Sequence, residues 1–322
     1  MIQEILPDLF LLEIPLPGNP LKVLNSYLIK GAKRHLLIDT GFNRPECLEA
    51  QINHLEYLKL NWSDIDIFIT HFHGDHSGLA FTLAHAKSAV YCSKVDADII
   101  QTTMRPDYWQ KTDLFYISHG FPARWLAEQR NTLTNYFAGD EMTFDYVIEG
   151  DVLIYGKYRL TCLSTPGHTP GHMCLYEPEQ KFLLGGDLLL ANISSNITAR
   201  YNVKDALGDY LNSLGKIDAM DIKLIIPGHR TLIYDHHQRI VELMNHHKHR
   251  LDEILTILRQ KPMNAYQVAS QMHWDVSGEW EQIPRFQQWF ATGEVVAHLE
   301  HLANRRMVDK EHQDTCLMYR LI

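Results

Sequence analysis

Apolar residues along this chain come mostly in short runs of about four to seven, separated by stretches of mixed polarity. The clearest are "NSYLIKG", "HLLIDTGF", "DIDIFITH", "SAVYCS", "YRLTCLST", "HMCLYEP", "KFLLGGD" and "IKLIIPGH". Runs of this length, several ending at Gly or at a polar residue, predict strands. Between two of them, "RPECLEAQINHLEYL" brings Cys47, Ile52, Leu55 and Leu58 round at roughly helical spacing, with Pro45 at a first helical position, and predicts an amphipathic surface helix. The pattern is that of a sheet-rich α/β body with functional groups at strand ends.

From about Val95 to Tyr146 the pattern turns aromatic, with Tyr108, Trp109, Phe115, Tyr116, Phe121, Trp125, Tyr136 and Phe137. Trp125, Leu126, Gln129, Leu133 and Phe137 recur at helical spacing, so a mostly helical insertion is expected here. Its rings either pack the insertion onto the body or line a substrate pocket. Beyond His246 the character shifts again: "HRLDEILTILRQ" puts Leu251, Ile254, Leu255 and Leu258 on one face, and Pro262 stops it. "NAYQVASQM" predicts a second helix opened by Asn264, and "TGEVVAHLEHLANRRM" a third. The tail "TCLMYRLI" alternates as a strand would. Three helices followed by a hairpin is the order of a winged helix, giving two expected domains, 1–245 and 246–322.

Composition narrows the function classes. With 322 residues, 45% of them hydrophobic, the chain can bury one large core or one core plus a small domain. A net charge of -9 supplies no overall positive field for nucleic acid or an anionic membrane. The N-terminal apolar run is broken by acids and three prolines, and no segment has the length of a membrane span. Cys47, Cys92, Cys162, Cys174 and Cys316 form no C-x-x-C pair and are odd in number, which fits buried thiols in a reducing cytoplasm. Among the 19 histidines, the set His236, His237, His246, His247 and His249 lies on a polar helical stretch and reads as a solvated face.

A different histidine cluster carries chemistry. "THFHGDH" places His71, His73, Asp75 and His76 directly after a strand-like run. Imidazole nitrogen and carboxylate oxygen are ordinary zinc or iron ligands, but they must converge from several segments to enclose an ion. Three further segments, "TPGHTPGHM" with His168 and His172, "LLGGDLLL" with Asp187, and "IIPGHR" with His229, each close a strand-like run beside Gly. Four segments are therefore available to one edge of the sheet.

With the early "LIDTG" that carries Asp39, these motifs resemble the metallo-β-lactamase superfamily over roughly residues 1–245, and in particular its glyoxalase II-like branch. The resemblance implies a four-layer αβ/βα sandwich with the site along one edge. It implies that His71, His73 and His168 hold one metal, that Asp75, His76 and His229 hold a second, and that Asp187 bridges them. His172 and Asp39 would then support the ligands by hydrogen bonds rather than bind. Two divalent ions, zinc by preference with iron or manganese as alternatives, would clamp a bridging hydroxide, and Asp75 would orient that water or take its proton. No "G-x-S-x-G" is present to supply a serine nucleophile.

The expected activity is hydrolysis of an ester, thioester or related small molecule. The stretches "LLLANISSNITARY" and "GHRTLIYD" do not match the residues with which glyoxalase II grips glutathione. Asn192, Ser194, Asn196 and Arg200 are candidate polar contacts to another substrate, or a capped surface loop. The C-terminal part also resembles the winged helix of a mitochondrial β-lactamase-like RNA endonuclease, which makes single-stranded RNA cleavage an alternative. Residues 246–322 carry nine Lys/Arg against ten Asp/Glu, which gives no phosphate-binding footprint and favours packing or formation of a homo-oligomer. Persulfide dioxygenases, which bind one iron, share the same His and Asp motifs and are a third reading.

Overall fold

Each of the eight apolar runs carries a strand. The computed structural model describes residues 1–103, 105–126, 142–276 and 278–322. Strands β1 (Ile2–Leu6), β2 (Leu9–Pro15), β3 (Val23–Ile29), β4 (His35–Ile38), β5 (Ile65–Phe68), β6 (Val90–Ser93) and β7 (Asp145–Val147) make one seven-stranded sheet in chain order. It is antiparallel from β1 to β4 and parallel from β4 to β7. Strands β8 (Val152–Tyr155), β9 (Tyr158–Ser164), β10 (Met173–Glu177), β11 (Phe182–Gly186) and β12 (Leu224–Pro227) make a second sheet, with β11 and β12 parallel. The strands that the pattern did not predict are β1, β2, β7 and β8. Prolines and acids interrupt the first two, and the last two lie at sheet ends with several exposed positions.

The two sheets face each other across a core that holds Tyr27, Ile29, Leu36, Ile38 and Phe68 from the first and Leu160, Cys162, Leu175, Phe182 and Leu184 from the second. Each sheet covers its other face with helices. On the first these are α1 (Pro45–Tyr57), two short turns α2 (Gly74–Ser77) and α3 (Ala80–Leu83), then α4 (Lys94–Thr103) and α5 (Pro106–Ser118). On the second they are α6 (Ala206–Asp218), α7 (His236–Leu258), α8 (Ala265–Ala269) and α9 (Arg285–Asn304). This is the αβ/βα sandwich. Helix α1 begins at Pro45, whose missing N–H is no loss in a first turn, and it buries Cys47, Gln51, His54 and Leu55. No described helix is long and apolar enough to cross a membrane.

The expected aromatic insertion supplies α4, α5 and a 3₁₀ turn at Ala123–Trp125; its Gln129, Leu133, Tyr136 and Phe137 lie outside the described residues. Helix α7 runs unbroken through residue 246. Its period brings His236, Ile240, Leu243, His247, Arg250 and Ile254 onto one buried face, so His236 and His247 are not on a solvated one. His237 and His249 do face solvent. Asn264 caps α8 in a reciprocal box with Gln267, at 2.9 and 3.0 Å. Helix α9 starts at Arg285, a full two turns before the predicted third helix. A hairpin, β13 (Val308–Gln313) and β14 (Cys316–Leu321), follows it. All five cysteines are free, and four are buried.

Candidate metal centre

Parallel strands deliver their carboxyl ends to one edge, and that is where side chains from distant segments can meet. Asp39 follows β4, His71 to His76 follow β5, His168 follows β9, Asp187 follows β11 and His229 follows β12. The sheets are tied together at this edge by Met173 N–H donating to the Thr70 carbonyl at 2.9 Å and by Tyr27 Oη donating to the Pro227 carbonyl at 2.7 Å. Two glycines leave room for the cluster. A Cβ on Gly228 would stand 2.7 Å from Asp187 Oδ1 and 2.8 Å from His76, and Gly186, at φ +49, would meet His172 Nε2 at 2.7 Å.

All seven expected ligands converge. His73 Nδ1 lies 3.0 Å from both His71 Nε2 and His168 Nε2. Beside them, His229 Nε2 is 3.3 Å from His76 Nε2 and 3.4 Å from Asp75 Oδ2. Asp187 stands between the groups, with Oδ1 3.5 Å from His76 Nε2 and Oδ2 3.7 Å from both His168 Nε2 and His229 Nε2. Donor atoms about 2.0–2.1 Å from a tetrahedral ion are roughly 3.3–3.4 Å apart, so these spacings are those of ligand cages.

The hydrogen bonds behind the rings fix which nitrogen faces the cage. The Nδ1 of His168 donates to the Asn196 carbonyl and that of His229 to the Val23 carbonyl, each at 2.8 Å. His76 Nδ1 donates to Asp39 Oδ2 at 2.7 Å. His71 Nδ1 donates to Thr70 Oγ1 at 3.0 Å, and that hydroxyl in turn donates to Asp39. Four Nε2 atoms are thereby aimed inward, the arrangement metal-binding histidines use. Asp39, with φ +61, thus steadies two of the rings and the Thr70 amide. His172 is turned away from the cage: its Nε2 accepts from the Asp187 amide at 3.1 Å and its Nδ1 donates to Thr165 Oγ1 at 2.8 Å.

Two imidazoles and both carboxylates are in the state a cation needs, while against burial the carboxylates Asp39, Asp187 and Asp75 hold His76 well above the ordinary range, and Asp187 and Asp75 hold His229 above it. Burial and the neighbouring imidazoles push His71 and His73 well below the ordinary range, so both are neutral. Against the burial that raises it, His76 and His229 hold Asp75 down at about 2, and Asp187 is likewise held well below the carboxylate range. Asp187 Oδ1 is sealed from solvent without a hydrogen-bond partner. A buried ionised oxygen left so would be costly on its own, and a bound cation removes that cost.

One residue that the sequence did not single out holds the site in place. Asp96, at the start of α4, is fully buried. Its Oδ2 accepts from the Phe72 amide (2.9 Å) and Thr169 Oγ1 (2.6 Å), and its Oδ1 from the Gly171 amide (2.8 Å). It therefore clamps the loop of His71 and His73 to the loop of His168. Nothing in its neighbourhood "KVDADII" marks it, because its partners lie 24, 73 and 75 positions away.

Beside the cage opens a pocket floored by Phe72, His73 and Gly74. Rings of α5 and of α9 wall it, and Thr198, Ala199 and Arg200 close one side. Of the polar residues expected after Asp187, Arg200 lines this pocket and Asn196 offers its carbonyl to His168, while Asn192 and Ser194 are exposed.

Comparison with known proteins identifies the family and the fold. The model of the metallo-beta-lactamase superfamily matches residues 21–154 and 159–229. The chain is 29% identical over 273 residues to the probable metallo-hydrolase YqjP of Bacillus subtilis, covering 82% of this chain and 85% of that one. It is 26% identical to an atrochrysone carboxyl ACP thioesterase of Aspergillus chevalieri, over 76% of this chain and 65% of the relative. A crystal structure of a metallo-beta-lactamase family protein from Thermus thermophilus superposes with a TM-score of 0.85 at 29% identity, over 99% of this chain and 100% of that one. A beta-lactamase domain protein from Burkholderia ambifaria does so at 0.83 and 22% identity, covering 100% and 95%. The chain belongs to the metallo-beta-lactamase superfamily, as one of its metal-dependent hydrolases.

Proposed function

We propose that the chain is a dinuclear hydrolase that cleaves a thioester or ester of a small organic acid. The observation that carries this reading is the pair of donor sets, His71/His73/His168 and Asp75/His76/His229, joined through the group His71/His76/Asp187, beside an aromatic pocket. His71, His73 and His168 would hold one divalent ion, Asp75, His76 and His229 the other, with Asp187 between. When bound, such a pair supplies a water of lowered pKa and Lewis-acid stabilisation of a developing oxyanion. Asp75, kept ionised, holds the attacking water by its free oxygen and takes its proton. Asp39, Asp96 and His172 keep the donors in register, and the aromatic walls exclude bulk water from the acyl group. A relative named as a thioesterase supports the thioester arm, although this chain spans only about two thirds of its length. The glyoxalase II-like branch remains our placement for the motif order, with a thiol partner other than glutathione.

The order α7, α8, α9 and hairpin supports a winged-helix reading of the C-terminal part, and its role here is packing. Helix α9 gives Trp289 and Phe290 to the pocket and so turns part of its surface inward, away from any nucleic acid. Elemental mass spectrometry of tag-free protein, with parallel screens of thioesters, esters and single-stranded RNA, tests the whole proposal. About two zinc, iron or manganese ions per chain with thioester or ester cleavage is the expected result. About one iron with oxygen-dependent sulfur chemistry would sink it in favour of a dioxygenase, and RNA cleavage alone would sink it in favour of a nuclease.

A further inference from the structure

The pocket holds a guanidinium that no carboxylate among the described residues contacts directly; Asp96 acts on it only at longer range. Arg200 lays its guanidinium over the Phe72 ring at 4.6 Å and donates from one Nη to Tyr108 Oη at 2.5 Å. Its Nε is sealed from solvent and has no hydrogen-bond partner, and the guanidinium makes no ion pair among the described residues. Tyr116 Oη, in the same wall, is also sealed and unpartnered, its ring stacked on Trp289 at 4.5 Å. Tyr108, Trp109 and Phe290 complete an aromatic enclosure whose floor includes the ligand His73. A guanidinium in such surroundings is matched by a planar anion that accepts two of its N–H groups. The rings suit a flat, apolar body.

Resting on the hydrolase reading above, we propose that the substrate is the thioester or ester of an aromatic acid that bears a second, free carboxylate. The ring lies between α5 and α9. Arg200 takes the carboxylate, Tyr116 Oη donates a further bond to it, and the scissile carbonyl is left beside His73. Arg200 thus selects among acids by charge and takes no part in the bond-breaking step.

The test compares thioesters of phenylacetate and 4-carboxyphenylacetate with the same thiol, using the metal-loaded enzyme, and measures binding of the two uncleaved amides by quenching of tryptophan fluorescence. Wild type is expected to favour the carboxylated thioester by about tenfold or more in kcat/KM and to bind its amide more tightly. Arg200→Met should lose that preference, mainly through a raised KM for the carboxylated thioester, with its metal content unchanged. Arg200→Lys should restore part of the preference, and Tyr116→Phe should weaken it by a few fold. Equal losses on both thioesters, or equal binding of the two amides by wild type, would overturn the inference. If neither thioester is cleaved while the amides still bind in an Arg200-dependent way, the hydrolase reading falls and the recognition of the carboxylate stands.

Discussion

At the scale of single residues, two buried carboxylates, Asp187 and Asp96, hold the centre together. Asp187 stands within 3.5–3.7 Å of ligand nitrogens from both donor sets and carries an orphaned oxygen, so Asp187→Asn should drop metal content below two ions per chain and abolish turnover. Elemental analysis beside an activity assay checks this, and two retained ions would contradict it. Asp96 is expected to matter without touching metal or substrate. Burial pushes its carboxyl up to about 6 despite three hydrogen bonds, and Asp96→Ala would strand the three donors that now meet there. We expect a loss of about 2–4 kcal/mol in chemical denaturation and a metal affinity weaker by roughly 10- to 100-fold. Most of the donor set was legible in the sequence because each ligand sits in a short Gly-bearing motif at a strand end. Asp96 and the pocket role of Arg200 were not, since each is defined by partners that only the fold brings near.

Elements show where local pattern ran out. The eight runs became strands because their apolar residues are contiguous, whereas β1 and β2 were hidden by the acids and prolines among them. Helix α7 is legible as a helix and His237 and His249 do face solvent, but polarity alone misplaces His236 and His247; the face those two share is set by the period and by what packs on it. There His247 Nδ1 donates to His298 Nε2 at 3.1 Å, and His298 Nδ1 donates to the Glu294 carbonyl at 2.8 Å. Burial holds His298 down at about 3 and His247 at about 2, so both are neutral. The unfolded chain, with values near 6.5, takes up protons that the folded one refuses. Stability is therefore full above about pH 6.5 and is lost as pH falls toward those lower values, by up to about 1.4 kcal/mol per pH unit for each ring. Urea midpoints between pH 7 and 5 should follow this slope, and His298→Gln should flatten it. A slope unchanged in that variant would count against the assignment. Gly293 in α9 lies against two pocket-lining side chains: a Cβ there would strike Tyr116 Oη and Thr198 Cγ2. Gly293→Val should lower the thermal midpoint by several degrees and raise KM while metal content holds.

For the whole molecule, the C-terminal part shares the core of the body. Leu163, Leu183, Leu207 and Tyr210 lie in one buried cluster with Val268, Val295, Leu299 and Tyr319. A chain ending after α7 would expose that apolar surface and should be recovered insoluble or with strong binding of a hydrophobic dye; a soluble, metal-loaded, active fragment would refute this. The loop from Asn196 to Arg200 joins the two ends of this arrangement. It accepts from His168 at one end, and at Ala199 its amide donates to the Gly293 carbonyl of α9 at 3.0 Å. The donors that would hold metal are thus encoded in four short motifs, while the surfaces that would meet the proposed acyl group are encoded mainly in α5 and α9, outside all four. Variation in those two helices can change which acid is accepted and leave the reactive centre as it is, so relatives with identical ligands need not share a substrate.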